Sequence, residues 1–92
     1  MSERTGFGAA LAQARMRAGL SQNQLAHEAG YDHSYVCRLE AAKREPSRAA
    51  VAALAMVLGL DEYDTGRLHL AAGYVPPGPG WFVVFERQEG TI

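Results

Sequence analysis

The stretch "SQNQLAHEAGYDH", residues 21–33, most constrains what this chain can fold into, because it forces two short helices to meet at a tight corner. Ser21 followed three residues later by Gln24 is a capping box, in which the hydroxyl takes an orphan amide and the glutamine reaches back to the serine amide. A short second helix starts there, with Leu25 and Ala29 facing inward. Gly30 supplies the positive φ that ends it at little cost. Tyr31 follows, and Asp32 is placed to cap a third helix running to about Ala42. The corner is three residues long.

The flanking sequence supplies three more helices. From Thr5 to Gly19 the apolar residues Phe7, Leu11, Ala14 and Ala18 recur at intervals of four, three and four, one face of a helix that Gly19 stops. In "REPS", Pro46 excludes helix at Glu45, and Ser47 caps a fourth helix with Val51, Leu54, Ala55 and Leu58 at helical spacing. Gly59 closes it. Asp61 or Asp64 opens a fifth helix through Leu68 and Ala71 to Ala72, with Gly73 as its cap and Pro76 as a stop. "VPPGPG" is a stiff link, and the "WFVVF" beyond it favours a strand.

With 92 residues, 48% of them hydrophobic and 21% charged, the chain has material for one folded domain with one modest core. Its formal net charge of -1 gives no basic excess of the kind that drives sequence-independent binding to nucleic acid. Any contact with DNA has to come from local placement of charge. The single cysteine, Cys37, excludes an intrachain disulfide, and no run of about 18 apolar residues suited to a membrane is present. A reducing cytoplasm, close to the nucleoid, is the expected location, with no membrane partner.

The third helix carries few apolar residues. Only Val36 and Leu39 stand at helical spacing, while His33, Ser34, Cys37 and Arg38 point elsewhere. Two short helices joined by a glycine-containing turn, the second with a polar outer face, are the parts of a helix-turn-helix. "LSQNQLAHEAGYDHSYVCRLEAAKREPSRAAVAALAMVLGLD", residues 20–61, resembles the phage-repressor type of this domain, the Cro/cI-like or XRE family. The family pattern is roughly L-S-Q-x-x-L-A-x-x-A-G-x-S-x-x-x-[IV]-x-x-[IL]-E-x-G-x-x-x-P-S. The likeness extends from about Phe7 to Pro77.

The resemblance implies an all-α fold, a five-helix lambda-repressor-like bundle over residues 1–77, followed by a strand-like tail over 78–92. It also implies binding to a double-stranded DNA operator as a homodimer. In such a fold the third helix, about residues 32–42, enters the major groove and reads base edges. His33, Ser34, Cys37 and Arg38 are the candidates for base contact, and Arg38 is able to give a guanine O6 and N7 two parallel hydrogen bonds. Gln22 matches the family's backbone-binding glutamine. Tyr35, Lys43, Arg44 and Arg48 are further candidates for phosphate contact. Arg15 and Glu40 match a family ion pair that fixes the angle between the first and third helices.

Structural readings compete with some of these. Ser21 and Asp32 are chiefly caps, and Arg4 and Arg17 are plain surface charges. His33 and Cys37 stand one helical turn apart, but structural zinc needs four ligands, and neither His27 nor His69 is placed by spacing to complete a site. No cofactor is expected. Cys37 reads as a small filler rather than a redox switch. No nucleophile elbow, phosphate loop or Cys–His arrangement with an orienting third group occurs, so an enzyme is not expected.

Two features work against strong DNA binding. Ala41 stands where an Asn or Gly is common after the motif's glutamate, and Asp32 and Glu45 border the basic patch. The tail residues Trp81, Phe82, Val83, Val84 and Phe85 need a cover. Pairing with the same segment of a second chain is favoured over folding back, docking on another protein, or a plain disordered end. Helices four and five, through Met56, Val57, Tyr63 or Leu70, offer a rival dimer surface.

The reading is a sequence-specific, double-stranded DNA-binding transcriptional regulator, a homodimeric repressor. An antitoxin of the same fold and an interaction module that has lost DNA binding are the alternatives.

Overall fold

The computed structural model describes residues 3–77, with side chains described from Gly6 onward. It contains α1 (Glu3–Arg17), α2 (Gln22–Ala29), α3 (His33–Glu40), α4 (Arg48–Val57) and α5 (Glu62–Ala71), and no strand among the described residues. The expected strand-like tail lies outside them. The five-helix all-α expectation matches the described residues.

Local chemistry sets the helix starts. At α2 the Ser21 hydroxyl accepts from the Gln24 amide at 3.0 Å, and the Gln24 side-chain oxygen accepts from the Ser21 amide at 2.8 Å. Ser47 accepts from the Ala50 amide at 3.0 Å, and Asp61, rather than Asp64, caps α5 by accepting from the Asp64 amide at 2.7 Å. Asp32 departs from expectation: it sits at the N-cap of α3, but its side chain makes no capping hydrogen bond.

The helix ends share one device. After each helix a residue with positive φ turns the chain, and the next amide reaches back to a carbonyl five residues earlier, which satisfies carbonyls the helix leaves open. Gly19, Gly30, Gly59 and Gly73 serve α1, α2, α4 and α5. At α3 the residue is Ala42, with φ 61°, so that helix stops at Glu40, two residues before the expected end.

The core is built from Phe7 and Leu11 of α1, Leu25 and Ala26 of α2, Val36 and Leu39 of α3, Val51, Leu54 and Ala55 of α4, and Leu68 of α5. Leu58, just past α4, closes one end. The face expected for α1 is shorter than its spacing indicates, because Ala14 is half-buried and Ala18, beyond the last turn, is exposed. α1 packs on α3 and α5, α2 on α3 and α4, and α4 on α5. The pairing of α2 with α3 leaves one side of α3 bare.

His69 is buried in α5 with its Nδ1 2.8 Å from the Thr65 carbonyl oxygen. A carbonyl only accepts, so Nδ1 carries the proton.

Candidate nucleic-acid interface

Val36 and Leu39 are fully buried, and they turn the opposite side of α3 outward. His33, Ser34, Cys37 and Arg38 are all exposed there, Cys37 as a free thiol. Two apolar anchors are enough to hold this eight-residue helix, because α1 and α2 both pack against it. The rest of its surface is free to carry hydrogen-bonding groups.

Beside that face lies an open cleft of about 650 Å³, lined by Tyr31, Ser34, Tyr35, Arg38 and Arg44 and also by the acidic Asp32 and Glu45 expected to border the basic patch. Tyr35 is half-buried, with its ring centroid 4.9 Å from that of Tyr31. The Arg44 guanidinium carbon lies 5.4 Å from the Tyr35 centroid, within cation–π range. Lys43 and Arg44 are exposed in the loop between α3 and α4. Cationic groups therefore flank the polar face along its C-terminal side.

On the other side a polar cluster joins three helices. Arg15 Nε donates to Glu40 Oε2 at 2.6 Å and Arg15 Nη2 to Glu40 Oε1 at 3.1 Å, a two-pronged pairing of guanidinium and carboxylate. Arg15 Nη1 also donates to the Leu20 carbonyl at 3.0 Å. The hydrogen bond to Glu40, aided by its charge and opposed by desolvation, raises the Arg15 pKa above its ordinary value. Gln22, at the first position of α2, donates from Nε2 to Glu40 Oε1 at 2.9 Å. That bond ties Gln22 to the ion pair and has no signature in sequence spacing.

Arg48 occupies a different setting from Lys43 and Arg44. Its Nη1 donates to the Val75 carbonyl at 3.0 Å, and its guanidinium carbon lies 5.0 Å from the Tyr74 ring centroid. Tyr74 in turn donates from its hydroxyl to the Pro46 carbonyl at 2.7 Å. These contacts clasp the segment after α5 onto the loop before α4. Sequence reasoning overlooked Tyr74, since the bond spans 28 residues and no local pattern announces it.

Ala41 also needs correction. It is the C-cap of α3 with φ -82°, an ordinary conformation, whereas the left-handed position is Ala42. The glycine of the E-x-G pattern falls on Ala42, so the departure from the family pattern that strains the backbone is at Ala42 and not at Ala41.

The rival dimer surface is apolar and accessible: Met56 is 82% exposed, Tyr63 60% and Leu70 42%, with Val57 half-buried. The candidate dimerisation residues Trp81, Phe82, Val83, Val84 and Phe85 lie outside the described residues. Among the described residues no group of three or more His, Cys, Asp or Glu is placed to hold a metal ion, and no helix is long and apolar enough to cross a membrane.

Comparison with known proteins gives a consistent picture. The profile of a family described as "Helix-turn-helix domain" matches residues 7–68. The solved structure of the restriction-modification controller protein C.AhdI from Aeromonas hydrophila aligns with a TM-score of 0.66 at 32% identity, over 71% of this chain and 98% of that one. The clp gene regulator ClgR from Corynebacterium glutamicum aligns with a TM-score of 0.68 at 23% identity, over 99% of this chain and 87% of that one, a likeness of fold. No curated protein sequence matches the chain.

Proposed function

Since the chain belongs to the helix-turn-helix domain family, we propose that it is a sequence-specific, double-stranded DNA-binding transcriptional regulator, a repressor that acts as a homodimer. The observation that carries this reading is the division of α3 into a buried pair, Val36 and Leu39, and an exposed hydrogen-bonding set, His33, Ser34, Cys37 and Arg38. A polar outer face is common to amphipathic surface helices, but here it stands on the second helix of a helix-turn-helix, the one such domains lay against DNA. The restriction-modification controller role named for the 32% identical relative supports a regulatory task for this chain as well.

In this reading Arg38 discriminates guanine, while His33 and Ser34 donate to or accept from neighbouring base edges, with Cys37 against the same surface. Phosphates are held by Gln22 with the Gln22 and Asn23 amides at the start of α2, the Gln24 amide being taken by the Ser21 cap, and by Tyr35, Lys43 and Arg44 on the far side. Arg48 contributes less, because part of its guanidinium is committed to Val75. Repression follows by occlusion of promoter DNA, with no catalytic step and no cofactor. The working unit is residues 1–77, with 78–92 as an extension, and the protein works beside the nucleoid in the cytoplasm.

A homodimer presents two copies of α3 to half-sites about one helical turn, roughly 34–36 Å, apart. Two subunit contacts are proposed, the pairing of Trp81 to Phe85 between chains and, as its rival, the exposed apolar residues Met56, Tyr63 and Leu70 of α4 and α5.

Selection of bound sequences from a random DNA pool tests the proposal. The wild-type protein is expected to enrich a two-fold symmetric site, and Arg38→Ala to lose preference at one base pair in each half. Failure to enrich any sequence defeats the proposal and favours an interaction module that has lost DNA binding.

A further inference from the structure

We infer that Glu40 is a positioning residue for DNA binding: its carboxylate, neutralised by Arg15, holds the Gln22 side-chain amide so that the second N–H of the same nitrogen is presented to a backbone phosphate. This rests on the DNA-binding reading given above. The carboxylate is not itself a DNA ligand.

The geometry carries the argument in three steps. A carboxylate only accepts hydrogen bonds, so the group of Gln22 that lies 2.9 Å from Glu40 Oε1 has to be the NH₂ and not the carbonyl oxygen. That fixes which end of the amide faces the cluster. One hydrogen of the NH₂ is used by Glu40, and the other remains for an acceptor arriving from outside, at the same end of α2 where the helix dipole favours an anion.

An anionic residue at such a place is otherwise a poor choice. Glu40 is the last residue of α3, where the helix dipole disfavours negative charge, and it would repel an approaching phosphate. The two bonds from Arg15 cancel that charge locally. Arg15 is in turn held by the Leu20 carbonyl in the corner before α2, so the cluster links α1, the α1–α2 corner, α2 and α3.

The advantage lies in preorganisation. A free glutamine loses rotamer freedom when it grips a phosphate, and that loss subtracts from affinity. Here the ordering is already complete in the unbound protein. Gln22 is half-buried rather than extended into solvent, consistent with a side chain held in place.

The test uses the operator recovered by selection, with single methylphosphonate substitutions along one half-site. In the wild-type protein one such substitution weakens binding, and Gln22→Ala is expected to abolish that sensitivity while lowering affinity about tenfold, the scale of one hydrogen bond to a charged group. The double variant Arg15→Met with Glu40→Leu replaces the pair by apolar groups, an exchange that folded proteins tolerate. It is expected to lose sensitivity at the same phosphate, and Gln22→Ala added to it should cost less than about twofold. An equal cost in both backgrounds overturns the inference.

A measurement on the unmodified protein covers the case in which the double variant does not fold. The side-chain NH₂ of Gln22 in the DNA-free protein should give an NMR order parameter near that of rigid backbone, about 0.85, and a value below about 0.6 overturns the inference. If the wild type enriches an operator but Gln22→Ala binds it equally well, DNA binding stands and this assignment falls. Absence of any enrichment removes the functional reading itself and this inference with it.

Discussion

Gly8 and Glu40 touch backbone to backbone: a Cβ built on Gly8 would lie 2.6 Å from the Glu40 carbonyl oxygen and 2.8 Å from that of Leu39. No side chain fits between α1 and α3 at that crossing. Gly8 and Arg15 are seven residues apart, two turns along one face of α1. The glycine lets α3 come close, and the arginine then meets the carboxylate of the same Glu40 whose carbonyl the glycine approaches. One stripe of α1 therefore sets both the distance to α3 and its end point.

Gly8→Ala is accordingly expected to lower the unfolding free energy by about 2 kcal/mol, since the backbone of α3 cannot move aside as a flexible side chain would. Gly6 is the internal control. It lies in the same helix, a Cβ there meets nothing within 4 Å, and Gly6→Ala is expected to add about 0.5 kcal/mol through helix propensity. Urea titration of both variants measures the contrast. A gain at both positions would show that α1 and α3 do not meet as described.

Ala42 is the one non-glycine residue with positive φ among the described residues. It closes α3 with the same pair of bonds the four glycines make elsewhere, Ala42 N to Leu39 O at 3.1 Å and Lys43 N to Arg38 O at 2.9 Å. A Cβ in that left-handed conformation costs roughly 1–2 kcal/mol. Ala42→Gly should therefore stabilise the protein by about 1 kcal/mol, seen as a rise in Tm of roughly 4–8 °C for a domain of this size. A fall in Tm would mean that Ala42 makes contacts worth more than its strain.

These two positions also show what the sequence discloses and what it hides. Gly19, Gly30, Gly59 and Gly73 were readable as helix ends, because a glycine just past an apolar period has one main structural use and the signal is local. Ser21 with Gln24, and Ser47, were readable as helix starts for the same reason. Gly8 carries no such signal: inside an amphipathic pattern it reads as a weak helix residue until the partner helix is in place. Asp32 misleads in the opposite direction, since a residue suited to capping leaves its side chain unused. The candidate site divides in the same way. The exposed set on α3 follows from the spacing of Val36 and Leu39 alone, whereas the bond from Gln22 to Glu40 and the clasp at Tyr74 join residues 18 and 28 apart. Only tertiary packing decides such pairs.

The clasp predicts a separation between stability and charge. Tyr74→Phe removes the bond to the Pro46 carbonyl and should cost about 1 kcal/mol in stability. It should leave the slope of log operator affinity against log salt unchanged, because no phosphate contact is lost. Arg44→Ala is expected to do the reverse, lowering the slope by about one with little change in Tm. Arg48→Ala should resemble Tyr74→Phe more than Arg44→Ala. A full unit of slope lost at Arg48 would return that residue to the phosphate-binding set in spite of its bond to Val75.

A homodimer, as proposed, needs a contact surface on each copy. Tyr63 and Leu70 are seven apart on α5 and so share a face, and Met56 stands near the end of α4, which packs on α5. Exposed apolar side chains scattered singly need no explanation, whereas several exposed on two helices that pack together offer a surface for the proposed homodimer. Converting Met56 and Tyr63 to Glu places two charges in that contact in place of apolar surface, and should weaken the proposed dimerisation about 100-fold, the effect of losing hot-spot residues. The monomer fold should be retained, because Met56 is 82% and Tyr63 60% exposed, and the Arg67 guanidinium that lies 5.9 Å from the Tyr63 ring is able to pair with a Glu placed there. Sedimentation velocity over a concentration series gives the dissociation constant, and operator affinity should fall with it, since each half-site then binds alone. An unchanged constant would move the subunit contact to Trp81–Phe85, and truncation after residue 77 would then have to produce a monomer.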